Sequence, residues 1–247
     1  MKDLMILLPV LNEEDGLERV LHTIPHMQLK ESGWSSSVVI IDGNSSDNSR
    51  KIGKESGCEV LVQPTKGKGE AIRVGFEYAI KNQFDAVVMF DADQTYHPED
   101  MLKMLPQLES GQIIVGNRLT NQMHPHAMTT QNWIGNHLLT WSAVMLFGLE
   151  IHDVCSGYWI FDKEAIKKMN LNSMDFEIEA EMYAECAVAN IQLRNYPIRY
   201  QPRIGQPKLG SIRDGSSILK KLIIRRLFPH PVDAELGRGK LSLQPNQ

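Results

Sequence analysis

From the N-terminus to about residue 115, short uninterrupted apolar runs alternate with stretches in which apolar residues recur every three or four positions. The runs fall at residues 4–10, 38–41, 60–62, 87–90 and 113–115. An apolar run without polar alternation reads as a strand covered on both faces, the mark of a parallel sheet. Between the first two runs, Leu17, Val20, Leu21 and Ile24 share a helical face that Asn12-Glu13-Glu14 opens and Pro25 stops. Residues 50–56 and 71–81 predict two more helices, and His97-Pro98 marks the exit from the fourth run into another. Strands separated by helices of about ten residues mean βαβ units. The longest greasy stretch, residues 133–149, contains Asn136 and His137 and is shorter than the ~20 apolar residues of a spanning helix. It predicts a buried or interfacial helix.

Composition narrows the class. A chain of 247 residues that is 42% hydrophobic can build a sizeable core, as one large α/β domain or two small ones. It shows no internal repeat, no low-complexity segment and no linker before about residue 205. A net charge of −4 gives nucleic acid no bulk electrostatic partner. Cys58, Cys155 and Cys186 are far apart and odd in number, which suits reduced cytosolic thiols rather than a disulfide framework or a CxxC metal site. The apolar run at residues 4–11 lacks the length and cleavage site of a signal peptide.

Charge is unevenly spread. Between residues 203 and 228, seven basic side chains (Arg203, Lys208, Arg213, Lys220, Lys221, Arg225 and Arg226) face one acid, Asp214. Over residues 212–228, Ile218, Leu219, Leu222, Ile223, Leu227 and Phe228 can share one helical face, flanked by the cations. Such a helix suits the headgroup plane of an anionic membrane. The alternatives are a helix packed on the rest of the domain or a self-association surface. After Pro229-His230-Pro231 the tail is polar and predicted to be flexible.

The chemistry gathers at strand ends. In open α/β sheets, ligands bind outside the carboxyl ends of the strands. After the fourth run, Asp91-Ala92-Asp93 offers two hard oxygen ligands, which suit Mg²⁺ or Mn²⁺ with phosphate oxygens and water completing the shell. Pro9 to Glu13, after the first run, can hold a base and ribose, and Asp42, after the second, can accept a hydrogen bond from a nucleobase imide. Lys66-Gly67-Lys68-Gly69 sets cations and glycines at a helix N-terminus, a natural seat for a pyrophosphate, without the Walker spacing. Each feature alone is more often a cap or a turn; gathered on one sheet edge, they point to a nucleotide diphosphate.

Pro9-Val10-Leu11-Asn12-Glu13, Asp42-Gly43-Asn44-Ser45-Ser46-Asp47, Lys66-Gly67-Lys68-Gly69-Glu70-Ala71, Asp91-Ala92-Asp93 and Gly116-Asn117-Arg118 resemble, in order and spacing, the family 2 glycosyltransferases with the GT-A fold. Asp153-Val154-Cys155-Ser156-Gly157-Tyr158 with Phe161, Phe176-Glu177-Ile178-Glu179, Tyr196-Pro197-Ile198 and Arg203-Ile204-Gly205-Gln206-Pro207-Lys208-Leu209 resemble its polyprenyl-phosphate (dolichyl-phosphate) sugar synthase branch. The resemblance covers residues 4 to about 228. The chain departs from that branch at Leu11, where Tyr is common, at Gly43, where a second Asp is common, and at Pro207, where Ser is common.

The resemblance implies an α/β GT-A fold, Rossmann-like, with a mostly parallel central sheet flanked by helices. It implies nucleotide-sugar binding by Pro9, Val10, Glu13, Asp42, Lys68, Asp91, Ala92 and Asp93, and Mg²⁺ or Mn²⁺ on Asp91, Asp93 and Gln94. Asp153, Asp93 and Arg118 would be catalytic, with Asp153 orienting the acceptor or acting as base. Arg118, Arg203 and Lys208 would bind the acceptor phosphate, with Glu177 and Glu179 behind the site. The implied reaction is inverting, metal-dependent transfer from a nucleotide-diphosphate sugar, with a UDP-sugar favoured and GDP-mannose the alternative, to a polyprenyl or dolichyl phosphate. Residues 1–205 would form the catalytic domain, 206–230 a basic membrane-associating segment and 231–247 a tail. The protein would be cytoplasmic and peripheral to the membrane, with room for homo-oligomerisation or a membrane-spanning partner. Two other readings are a family 2 transferase acting on a soluble or polysaccharide hydroxyl, and a non-catalytic nucleotide-sugar-binding subunit.

Overall fold

The five apolar runs, with two further segments at residues 159–162 and 192–197, become the strands of one seven-stranded sheet. The computed structural model describes residues 1–204 and 211–229. The strands are β1 (Lys2–Val10), β2 (Trp34–Asp42), β3 (Glu59–Val62), β4 (Ala86–Met89), β5 (Gln112–Asn117), β6 (Trp159–Asp162) and β7 (Gln192–Pro197). The helices of the first half are α1 (Glu14–His22), α2 (His26–Glu31), α3 (Ser49–Glu55), α4 (Lys68–Lys81) and α5 (Met101–Met104). Those of the second are α6 (Thr130–Phe147), α7 (Lys163–Lys168), α8 (Ile178–Val188) and α9 (Ser211–Leu227).

The sheet order is β3-β2-β1-β4-β6-β5-β7. All pairings are parallel except those of β6, which runs antiparallel between β4 and β5. The mostly parallel central sheet that was expected is what forms, with β6 as its antiparallel member. Neither β6 nor β7 was among the expected strands. β6 is built on the apolar run Trp159-Ile160-Phe161, which lies beyond the alternating strand–helix pattern, and β7 is an edge strand whose polar Gln192, Arg194 and Asn195 stand among half-buried neighbours.

Successive side chains of a strand point to opposite faces, and the core divides accordingly. Met5 and Leu7 of β1 join Val39, Ile41, Val87, Met89 and the inner faces of α4 and α8. Leu4, Ile6 and Leu8 join Ile40, Val88, Leu17, Val20, Met101 and Met104 on the other face.

Two helices lie outside this scheme. Thr129 caps the start of α6 by accepting the Asn132 N–H, and Gly148, with φ of 70°, ends it. Within α6 only Thr140 and Ala143 are buried, so residues 133–149 do not form the buried helix that was one of the two expectations. α9 packs on α6 and α8 and sends Ile218 and Leu222 into the core. Two of its flanking cations also turn inward. Arg225 is buried against Glu185 and Glu181, and Lys221 reaches Glu181 at 3.6 Å and Asn172 at 3.1 Å. The single apolar face expected for residues 212–228 is thereby split. Ile218 and Leu222 face the core, while Leu219, Ile223, Leu227 and Phe228 are exposed.

Candidate functional site

The carboxyl ends of β1, β2 and β4 lie side by side, with Val10 in register with Asp42. The two loops that follow β1 and β2 are stapled together. Ser45 Oγ accepts the Asn12 N–H and Ser49 Oγ the Glu13 N–H, each at 2.9 Å, and Asn12 Oδ1 accepts the Ser46 N–H at 2.7 Å. Asp42 is fully buried beneath them. Its Oδ1 accepts the Ser45 N–H at 3.0 Å and faces the Arg50 guanidinium at 3.5 Å, while its Oδ2 is buried with no hydrogen-bond partner. A buried carboxylate oxygen without a hydrogen-bond partner is costly.

Each carboxylate of Asp91-Ala92-Asp93 carries a cation. Lys68 Nζ sits 2.5 Å from Asp91 Oδ1 and 2.7 Å from Glu179 Oε1. Arg203 bridges Asp93 Oδ2 at 2.9 Å and Glu13 Oε1 at 2.6 Å. Asp93 Oδ1 accepts the Thr95 N–H at 3.0 Å and the Thr95 hydroxyl at 2.6 Å. Burial, then the neighbouring Asp91 charge, push the Asp93 carboxyl above the ordinary range despite Arg203 and Thr95. Burial also raises Glu179 despite Lys68. Burial would by itself lower Lys68; Asp91 and Glu179 more than offset it and hold the ammonium charged.

The glycines of the Lys66–Gly69 loop are demanded by close approach. A side chain at Gly67 or Gly69 would run into the backbone of Met174 or Ser173, and Gly67 has φ of 112°. The residues 173–175 segment thus presses α4's N-terminus against the sheet edge and aims Lys68 inward. Lys66 stays exposed.

Further along the edge, Asp153 is fully buried and accepts three hydrogen bonds from Arg118. These are Nε at 2.7 Å and Nη2 at 2.9 Å from the side chain, and N at 3.1 Å from the backbone. Burial opposes the Arg118 charge, but Asp153 overrides it and lifts the guanidinium well above its usual pKa. The Arg118 plane lies 5.2 Å over the Tyr200 ring, a cation–π arrangement. Tyr200 meets Tyr96 edge to face at 5.2 Å, and the Tyr96 hydroxyl accepts the Gly157 N–H at 2.7 Å.

Sequence reasoning anticipated Pro9, Val10, Glu13, Asp42, Lys68, Asp91, Ala92, Asp93, Arg118, Asp153 and Arg203, and all lie along this edge or on the loops that cover it. Gln94 adopts φ of 67° and gives its carbonyl to the Gln201 side chain at 2.6 Å. Lys208 lies outside the described residues. Tyr96, Tyr200 and the Glu13–Arg203 pairing were not anticipated. Glu13 and Arg203 are 190 residues apart, so no local signal links them. The three cysteines are free, and burial pushes the Cys155 thiol up to about 12.

Beside the edge runs a different surface. No Asp, Glu, Lys or Arg occurs from residue 119 to 149. Ile134, Leu138, Trp141 and Met145 follow at helical spacing along α6 and are 48%, 60%, 63% and 67% exposed, with Trp133 next to them. α9 adds exposed Leu219, Ile223, Ile224, Leu227 and Phe228, with exposed Lys220 and Arg226 among them. α6 itself reaches the site from its opposite, buried side, where Thr140 Oγ1 accepts the Val154 N–H next to Asp153 at 3.1 Å. No helix among the described residues is long and apolar enough to cross a membrane.

The donor set at Asp91 and Asp93 fits a hard divalent cation. Two carboxylates one residue apart repel each other and already draw two cationic side chains as stand-ins. Among the described residues no three His, Cys, Asp or Glu form a closed metal cage. Mg²⁺ and Mn²⁺ can bind on one or two carboxylates, with positions left for phosphate oxygens.

Comparison with known proteins agrees with this arrangement. Residues 5–169 match Glycosyl transferase family 2. Glycosyltransferase AglJ of Haloferax volcanii is 34% identical over 230 residues, 92% of this chain and 73% of that protein. The UDP-N-acetylglucosamine–dolichyl-phosphate N-acetylglucosaminyltransferase of Methanococcus voltae is 26% identical over 210 residues, 77% of this chain and 79% of that protein. Glucosyl-3-phosphoglycerate synthase of Mycobacterium tuberculosis, crystallised with Mn²⁺, UDP-glucose and phosphoglyceric acid, shares the fold with a TM-score of 0.69 at 18% identity, over 93% of this chain and 81% of that chain. The sheet of mixed strands with its loaded carboxyl edge is thus the GT-A fold, and the chain belongs to glycosyltransferase family 2.

Proposed function

We propose that this glycosyltransferase moves a sugar from a nucleotide-diphosphate sugar, UDP-linked rather than GDP-linked, to a polyprenyl or dolichyl phosphate, with Mg²⁺ or Mn²⁺ bound and at a membrane surface. The observation that carries the lipid acceptor is the exposed apolar side of α6, a helix whose opposite, buried side holds Val154 beside Asp153 through Thr140. Contiguous exposed apolar surface marks an interaction site. Tryptophans beside lysine and arginine suit an anionic headgroup layer. The Methanococcus voltae relative, whose name gives dolichyl phosphate as acceptor and a UDP-sugar as donor, supports the same assignment.

The donor's base would lie over Asp42, whose open Oδ2 accepts an imide N–H of uracil. Lys68, at the N-terminus of α4, faces the diphosphate together with the helix dipole. The divalent cation, held by Asp91 and Asp93, supplies Lewis-acid stabilisation of charge on the departing diphosphate. Arg118 holds the acceptor phosphate, with Arg203 and Lys208 as further phosphate-binding cations. Arg is the residue suited to planar recognition of phosphate oxygens. One phosphate oxygen attacks the anomeric carbon as the bond to the nucleotide diphosphate breaks, inverting that centre. A lipid phosphate is already anionic near neutral pH, so no proton has to be removed by a base. Asp153, committed to Arg118 through three hydrogen bonds, serves as its positioning group.

The test is an incubation with Mg²⁺ or Mn²⁺, a polyprenyl phosphate in detergent and a panel of radiolabelled UDP- and GDP-sugars, followed by organic extraction. Label entering the organic phase from one donor, and lost in Asp93→Ala, is the expected result. Transfer only to a soluble acceptor would overturn the lipid assignment. Absence of turnover with every donor would favour a nucleotide-sugar-binding subunit.

A further inference from the structure

The two cations on the Asp91-Ala92-Asp93 carboxylates are held in different ways. Lys68 is locked between Asp91 and Glu179 on the first turn of α4, beneath the backbone of residues 173–174. Arg203 stands on a strap laid along the carboxylate loop. The Gln201 N–H donates to the Thr95 carbonyl at 3.0 Å, the Gln201 side chain to the Gln94 carbonyl at 2.6 Å, and the Ile204 N–H to the Asp93 carbonyl at 3.2 Å. These bonds fix the strap's backbone, so only the Arg203 side chain has to turn for its guanidinium to leave Asp93. The guanidinium is incompletely satisfied where it is. Its two terminal nitrogens pair with Asp93 and Glu13, while its Nε is buried with no hydrogen-bond partner.

We propose that Arg203 couples metal binding to phosphate binding. In the empty enzyme its guanidinium occupies Asp93 Oδ2 and Glu13, and it yields Asp93 to the divalent cation once a phosphate offers it a replacement partner. This rests on the reading of Asp91 and Asp93 as the metal carboxylates, and it makes Arg203 a positioning residue with two stations. The charge balance explains why coupling follows. Among the described residues, Lys68 and Arg203 are the cations seated on Asp91, Asp93 and Glu179. A divalent cation entering alone confronts a guanidinium already seated at 2.9 Å from Asp93. Arriving with a phosphate, it finds the guanidinium drawn off to the new anion. Coupling free energies are reciprocal, so the phosphate ligand also binds better when the metal is present.

The phosphate can belong to the donor diphosphate or to the lipid acceptor, and the experiment separates them. Binding of Mn²⁺ to the full chain is followed by the loss of its free electron-paramagnetic-resonance signal, alone, with UDP, and with a short-chain prenyl phosphate. Parallel titrations without protein subtract Mn²⁺ chelated by the ligands themselves. Wild type is expected to bind Mn²⁺ weakly alone and at least about fivefold more tightly with one of the two phosphates, within the ordinary range of coupling. Enhancement by UDP assigns the donor diphosphate; enhancement by prenyl phosphate assigns the acceptor. Arg203→Ala should bind Mn²⁺ alone several-fold more tightly than wild type and lose most of the enhancement, with Arg203→Lys between them. Circular dichroism and thermal melting verify that the variants fold. Equal Mn²⁺ affinity of wild type and Arg203→Ala without phosphate would overturn the coupling while leaving the metal site standing. Failure of Mn²⁺ to bind wild type under every condition would remove the metal reading, and the coupling with it.

Discussion

The sheet's carboxyl edge, which α6 reaches from its buried side through Thr140 and Val154, and the exposed α6–α9 face are built on opposite principles. The edge packs acids and cations into burial and pairs most of them: Lys68 with Asp91 and Glu179, Arg203 with Asp93 and Glu13, Arg118 with Asp153. The face leaves large apolar side chains in the open over a stretch with no acid, Lys or Arg from residue 119 to 149. Buried charge is expensive unless paired, so the edge is rigid and intolerant. Exposed apolar groups contribute little to the fold, so the face tolerates change. The proposed transfer from a polar donor to a lipid phosphate would use both surfaces.

The comparison breaks most sharply at Arg118. Arg118→Met leaves Asp153 buried without its counter-charge and should cost about 3–5 kcal/mol, read from urea unfolding. The same measurement on Trp141→Ser, at 63% exposure, should move by less than about 0.5 kcal/mol. Asp93→Asn should lower sugar transfer by about 10²–10³-fold, since a Lewis acid at the leaving group is worth several kcal/mol, while vesicle binding stays unchanged.

A pH series divides the two regions again. Burial and Asp91 raise the Asp93 pKa, so its proton returns at a higher pH than on an exposed aspartate. Mn²⁺ binding should therefore fall with decreasing pH at a midpoint above the ordinary aspartate value, whereas vesicle binding through Lys220 and Arg226 should show no such loss. The smallest effect belongs to those cations. Lys220→Gln and Arg226→Gln should each weaken sedimentation with anionic vesicles by about 1 kcal/mol, and added salt should reduce the difference.

The edge was legible in the sequence because parallel strands announce themselves as apolar runs and their ends carry the chemistry. Asp42, Asp91 and Asp93 could be located by counting to the end of a run. β6 was missed although Trp159-Ile160-Phe161 is an apolar run, because it runs antiparallel outside the strand–helix repeat, and β7 was missed because its polar Gln192, Arg194 and Asn195 break any apolar run. The pairings across the site were hidden for another reason: Glu13 meets Arg203 and Arg118 stacks on Tyr200 only after the sheet forms. The C-terminal helix was half legible. Its periodicity revealed amphipathicity, but the inward turn of Lys221 and Arg225 depends on Glu181 and Glu185 of α8, which no local pattern discloses.

The central claim is that the apolar face delivers a lipid phosphate to the Arg118–Asp153 corner. It is tested by comparing wild type with the double variant Leu138→Ser/Trp141→Ser on two acceptors: a polyprenyl phosphate in anionic vesicles, and a prenyl phosphate short enough to dissolve in water. Fully burying one large apolar side chain is worth about 1.5–3 kcal/mol, so partial burial of two predicts a loss of about hundredfold on vesicles. Transfer to the short acceptor should stay within about twofold, because the corner itself is untouched. Equal transfer to vesicles by both proteins would contradict the account and leave the face without a role in the reaction.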